Sequence, residues 1–126
     1  MEKVQEAPTL TAYPPDKVYE AKPHQIKASN GETQMGLIGA GSFSTYFTWR
    51  GSGSVKLNCG NGNIRSNSRV FVAISEYNTE PTVNRFIGAA SMSVFNVSPY
   101  NGGVVVWINV NWGSPLNIRL DVLVDP

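Results

Sequence analysis

The sequence predicts an all-β chain: an antiparallel β-sandwich of jelly-roll type that carries an extended, proline-rich N-terminal arm. Three observations lead there. Apolar and polar residues alternate in short runs, Gly- and Asn-rich stretches separate those runs, and no segment sustains a helical period. Short strands at this spacing belong to sandwiches rather than to βαβ folds. The length of 126 residues suits one domain and is enough to bury a two-layer core without staples.

The arm is read as residues 1–34. Pro8, Pro14, Pro15 and Pro23 prevent a long helix there and favour extended backbone. This part holds nine of the nineteen charged residues, from Glu2 to Glu32. It has few large apolar side chains, with Val4, Leu10, Tyr13, Val18 and Tyr19 as scattered anchors, and room for one edge strand around His24–Ala28. From residue 35 to 126 the composition turns to Gly, Ser, Asn, Val and aromatics, which is strand-and-turn chemistry.

Alternation then sets each strand and its buried face. Phe43, Thr45, Phe47 and Trp49 share one face of the first. Val55, Leu57 and Cys59 share a face of the next, after a Gly51-Ser52-Gly53 turn. Val70, Val72 and Ile74 mark a third strand, and Ala90, Met92 and Val94 a fourth. Val104, Val106, Ile108, Val110 and Trp112 form the longest stripe, which Ile118, Leu120, Val122 and Val124 follow. Trp49 and Trp112, each at the end of an inward stripe, are expected in the core.

Parity also predicts how the last three strands align, because a one-residue slip would turn a whole stripe outward. If they form a meander, Val94 lies opposite Ile108, Met92 opposite Val110, Val110 opposite Leu120 and Ile108 opposite Val122. The outer face then carries Phe95, Trp107 and Leu123 in one row beside Val97 and Val105. Ser93, Asn109 and Asp121 make the next row, and Ser91, Asn111 and Arg119 the one after. No charged residue lies between Arg85 and Arg119. A solvent-facing sheet normally alternates to charged positions, and contiguous exposed apolar groups mark contact sites. Three covers fit this face. They are the chain's own arm, a neighbouring subunit, or a sugar stacked on Trp107 with Asn109, Asn111, Arg119 and Asp121 as the hydrogen-bonding rim.

Catalytic equipment is not evident. The only histidine, His24, sits beside Pro23 in the arm and reads as solvated or incidental. Glu76 and Glu80 lie where a strand leaves for a turn, with nothing to set them across a cleft. No His/Cys spacing suits zinc, and the lone Cys59 reads as a small buried hydrophobe. Gly60-Asn61-Gly62-Asn63-Ile64-Arg65 lacks the Gly-Lys-Ser/Thr ending of a phosphate cradle and reads as a polar loop. Neither cofactor nor metal is expected.

The net charge of +1 provides no basic field, so Arg65, Arg69 and Arg85 read as surface residues and nucleic acid is not an expected partner. No apolar run is long enough to span a bilayer. The start, Met1 to Glu6, lacks a signal-peptide pattern, so a cytoplasmic or virion location is expected and Asn96-Val97-Ser98 reads as a chance glycosylation match. Together these features point to a non-enzymatic structural protein. The expected role is a jelly-roll subunit that self-associates or joins another protein, as in virion decoration or a fibre. A soluble lectin-like carbohydrate-binding module is the alternative.

Overall fold

A computed structural model of the chain describes residues 14–24 and 41–126; the remainder of the arm, including Val4, Leu10, Tyr13 and residues 25–28, lies outside the described residues. Two sheets pack face to face. The first has four strands in the order β1 (Val18–Glu20), β4 (Gly53–Gly60), β8 (Gly103–Asn111) and β7 (Ser91–Tyr100). The second has five, in the order β2 (Lys22–His24), β3 (Phe43–Gly51), β9 (Leu116–Asp125), β5 (Arg69–Tyr77) and β6 (Arg85–Phe86). Every pairing is antiparallel except that of β1 with β4.

The inward stripes meet as alternation demands. Phe47, Leu57, Ile108, Ile118, Leu120, Val122 and Val124 are fully or almost fully buried, and Cys59 lies among them. Val70, Val72, Ile74, Met92 and Val94 are partly buried against this core. Burial pushes the Cys59 thiol up to about 12, aided by the nearby Glu20 charge, so the thiolate is absent at neutral pH.

The predicted meander of β7, β8 and β9 is only half correct. β7 and β8 form a hairpin in which Val94 opposes Ile108, Met92 opposes Val110, Ser93 opposes Asn109 and Ser91 opposes Asn111. β9, however, does not pair with β8. It crosses to the second sheet and lies between β3 and β5, with Leu120 opposite Phe47 and Ile74. Val110 and Leu120 therefore face each other's layer across the core rather than along a ladder.

The crossing also corrects Trp112, which is 45% exposed. β8 ends at Asn111, and the Trp112 amide donates to the Val110 carbonyl as the chain turns away from the sheet. The strand alternation that would have buried the indole has stopped by then. Trp49 is half-buried at the core margin, with its ring 5.8 Å from that of Tyr19.

The Gly51-Ser52-Gly53 segment is likewise a crossing, not a hairpin. Gly51 pairs with Leu116 in one sheet and Gly53 with Val110 in the other. Gly53 takes φ of 87°, where a side chain is strained, so the abrupt change of layer depends on a glycine there. The Gly60–Arg65 stretch is the polar loop expected. Ile64 plugs the core at 0% exposure, and Gly102 bonds both Asn61 and Ile64 through its backbone. Arg65 donates to the carbonyls of Gly62 and Ile64 in its own loop, so it is a structural clasp.

The described part of the arm is a strap. β1 joins the first sheet and β2 the second, so Val18–His24 closes the open side of the sandwich. Ala21, at the changeover, is 5% exposed, and its amide donates to the Asn58 carbonyl at 3.0 Å.

These positions predict a sharp contrast in stability. Phe47→Ala should lower unfolding free energy by about 3–5 kcal/mol, whereas Trp112→Ala should change it by less than about 1 kcal/mol. Denaturant titration of both variants checks this. Cys59 should resist a disulfide-exchange reagent in native protein and react fully once unfolded.

Candidate functional site

Two outer faces are available, one on each sheet, and the residues singled out from sequence divide between them. On the four-stranded sheet lie Trp107, Phe95, Val105, Asn109 and Asn111. On the five-stranded sheet lie Leu123, Asp121 and Arg119. The structure thus separates Leu123 from Phe95 and Trp107, because β9 left the β8 edge. A single site containing Trp107, Arg119 and Asp121 is excluded for the same reason.

A β-bulge builds the first face. The β7–β8 register shifts between Val94 and Asn96, leaving Phe95 as the extra residue. Phe95 turns outward, 41% exposed, and meets Trp107 edge to face with ring centroids 4.9 Å apart. The same shift reverses parity beyond it. Val97 now opposes Val106 and packs against the core, which corrects its expected place on the outer face.

The neighbours of Trp107 are polar and almost neutral. Its indole N–H donates to Ser54 Oγ at 2.8 Å, and Lys56 and Asn96 flank it in the register. Tyr100 donates its hydroxyl proton to Asn58 Oδ1 at 2.6 Å, and Asn58 in turn donates to the Glu20 carboxylate of the strap. Pro14, Lys56, Asn96, Ser98, Val105 and Trp107 enclose a shallow groove of about 280 Å³. Pro14 is thereby placed over the face by its own chain, ahead of a bend at Asp16.

The second face carries a polar stack that sequence reasoning missed. Tyr46, Thr48, Arg119 and Asp121 point outward from β3 and β9, and His24 comes from β2. The imidazole of His24 stacks on the Tyr46 ring, with centroids 4.6 Å apart and planes 6° from parallel. The Arg119 guanidinium lies 3.8 Å from the centre of that same ring. His24 Nε2 and Thr48 Oγ1 are 2.8 Å apart, and Thr45 donates to the His24 carbonyl at 2.7 Å.

Arg119 is only 9% exposed, so its charge needs partners. Nε and Nη2 both donate to Asp121 Oδ1, and Nη1 donates to the Pro81 carbonyl at 2.8 Å. Arg85 donates to the other Asp121 oxygen at 2.9 Å. Asn117 donates to the Asn78 carbonyl, so Arg119 and Asn117 together pin the connection between β5 and β6 over the sheet. Glu80, in that connection, accepts from the Thr82 amide and hydroxyl, which hold its carboxyl below the usual range. Glu76 lies instead on β5, beside Phe86 and Gly88, so the two glutamates do not form a facing pair.

Above this stack, Phe71 is 61% exposed and shares a shallow apolar groove of about 240 Å³ with Leu123, Ala73 and Ser44. Among the described residues, no group of three or more His, Cys, Asp or Glu side chains is arranged to hold a metal ion. No helix among them is long and apolar enough to cross a membrane.

A signal for the polar stack was present in the sequence. Arg119 takes the outward position between buried Ile118 and Leu120, in a charged pair on that strand's outer face, with Asp121 two residues on. Its aromatic partner could not be read, because Tyr46 lies 73 residues away in the chain. Asp121→Asn should destabilise the protein by about 1–3 kcal/mol, since it weakens the charge-assisted bonds of a buried arginine. Ser75 Oγ, opposite Arg119 in the register, is buried without a hydrogen-bond partner. Ser75→Ala should therefore leave thermal stability unchanged or raised. Compared with protein-family models, curated proteins and solved structures, the chain matches none.

Proposed function

We propose that this β-sandwich is a non-enzymatic subunit of a larger protein assembly, contacting its neighbours through the outer faces of both sheets. One observation carries the reading: bulky apolar side chains stand exposed on opposite sides of the sandwich. Phe95 meets Trp107 on one side, with Tyr100 further along the same sheet, and Phe71 lies beside Leu123 on the other. Exposed apolar groups that gather rather than scatter mark contact surfaces. Two different patches on opposite faces suit head-to-tail contacts, which build rings or extended lattices, better than a single two-fold dimer.

The strand winding supports a jelly-roll reading of the fold. β3, β9 and β5 in one sheet run beside β4, β8 and β7 in the other, and the chain changes layer at β1–β2, β3–β4, β4–β5, β6–β7 and β8–β9. Such a roll suits a virion decoration or fibre subunit, with a virion or cytoplasmic location. The arm, residues 1–34, then serves as an attachment segment.

A glycan-binding module is the second reading, favoured by the groove beside Trp107. Its hydrogen-bonding rim comprises Asn96, Ser98 and Lys56, with Asn109 and Asn111 further along the sheet. Arg119 and Asp121 have no part in it.

Light scattering across a concentration series tests the assembly reading. The full chain should form an oligomer, and Trp107→Ala combined with Phe71→Ser should reduce it to a monomer without loss of folding. A wild-type monomer at about 100 µM, well above the dissociation constant of a stable contact, overturns the proposal. Quenching of Trp fluorescence by neutral oligosaccharides, lost in Trp107→Ala, establishes the glycan reading instead.

A further inference from the structure

We propose that His24 is a pH-sensitive latch on the Pro14–His24 strap: protonation of its ring beside Arg119 and Lys22 releases the strap from both sheets and uncovers the Trp107 groove.

The strap is held by little. Only Ala21 is buried within Val18–Glu20 and Lys22–His24 and the link between them, whereas Val18 is 49% exposed. Each of its strands pairs through three residues. A segment with so little buried apolar area opens at a free energy well below that of global unfolding. At its His24 end it is attached by the Tyr46 stack, the Thr48 contact and the Thr45 bond to the backbone.

That attachment favours a neutral ring. Arg119 already occupies the Tyr46 π-system, so a protonated His24 places a second cation against the same ring. Lys22 adds a like charge from the strap itself. On the opposing side, Glu80 from the β5–β6 connection attracts a protonated ring. Asp121, beside Tyr46 in the register, is engaged by Arg119 and Arg85. Tyr46, Thr45 and Thr48 are the remaining groups that β3 presents to the ring or its backbone. The balance lowers the ring's pKa from the ordinary 6.5, through burial first, then Lys22 and Arg119, with Glu80 acting in the opposite sense.

The direction of the linkage follows. A ring whose docked value is depressed stabilises the docked strap fully above its free value, and that stabilisation is lost as pH falls through the depressed value. Opening carries Pro14 away from Lys56, Asn96, Ser98, Val105 and Trp107. It also breaks the bonds from Asn58 to Glu20. Acid thereby converts a partly covered aromatic face into an open one, whether a second subunit or a glycan then meets it.

The chain contains a single histidine, so its ring resonance is unambiguous. The Ala21 amide, which donates to Asn58, reports strap docking. Hydrogen exchange at Ala21, normalised to the unstructured rate, should show the open population rising about fivefold or more between about pH 7.5 and about pH 5. Core amides such as Val106 should stay protected over that range, and the ring should titrate below its value in urea. In His24→Gln the pH response of Ala21 should vanish. Should that variant open the strap at every pH, Lys22→Gln provides the second arm: it should raise the native ring titration and shrink the response. An Ala21 signal that ignores pH while the ring titrates overturns the latch. So does an equal response in His24→Gln, or an unaltered one in Lys22→Gln.

Discussion

Burial of two apolar sheet faces against each other is the constraint on which the rest of this structure depends. Every strand of the core must place alternate residues inward, and Leu57, Ile108, Ile118 and Leu120 do so with almost no exposure. Once those stripes are committed, the intervening residues face out, and the chemistry of both outer faces follows from pleat parity. The surfaces proposed for assembly are thus a by-product of the core. Phe71 stands outside because Val70 and Val72 must stand inside.

The outer faces differ in how they manage their polar and apolar content. On the five-stranded sheet, a buried arginine is reconciled with its surroundings by Asp121, the Pro81 carbonyl and the Tyr46 ring. Those contacts fasten a loop at one side of the stack and the strap at the other. The four-stranded face has no such centre. Its polarity is made mostly of Asn and Ser, with Lys56 and Glu20 at its margin, and its apolar content concentrates at one bulge where Phe95 meets Trp107. The first arrangement organises the fold; the second leaves side chains available for contact.

The strap links the two. It belongs to both sheets, carries the one histidine, and lays Pro14 on the Trp107 groove. A segment with this little buried area is the natural place for a conformational response, since the core beneath does not depend on it for most of its apolar contacts. The reading of residues 1–34 as an arm treated His24 as incidental. The fold instead stacks its ring on Tyr46 and sets it against Thr48.

Alone, the sequence determined the all-β class, the six main strands and most of their inward residues, Trp112 and Val97 excepted, because a period of two is local and survives any choice of partner. It also placed Ser91 to Val94 of β7 correctly against β8, whereas the pairs between the bulge and the Asn101-Gly102 turn are shifted by one residue. Only the tertiary structure decided that β9 leaves β8 and inserts between β3 and β5. Alternation is the same whichever sheet a strand joins, so Leu123, Asp121 and Arg119 could be assigned to an outer face but not to the correct one. The bulge at Phe95 was equally illegible, and with it the inward turn of Val97, because one extra residue reverses parity without changing composition. The stacking of His24, Tyr46 and Arg119 depends on three strands far apart in the chain. Such contacts arise from which edges meet, and edges meet only when the whole core is assembled.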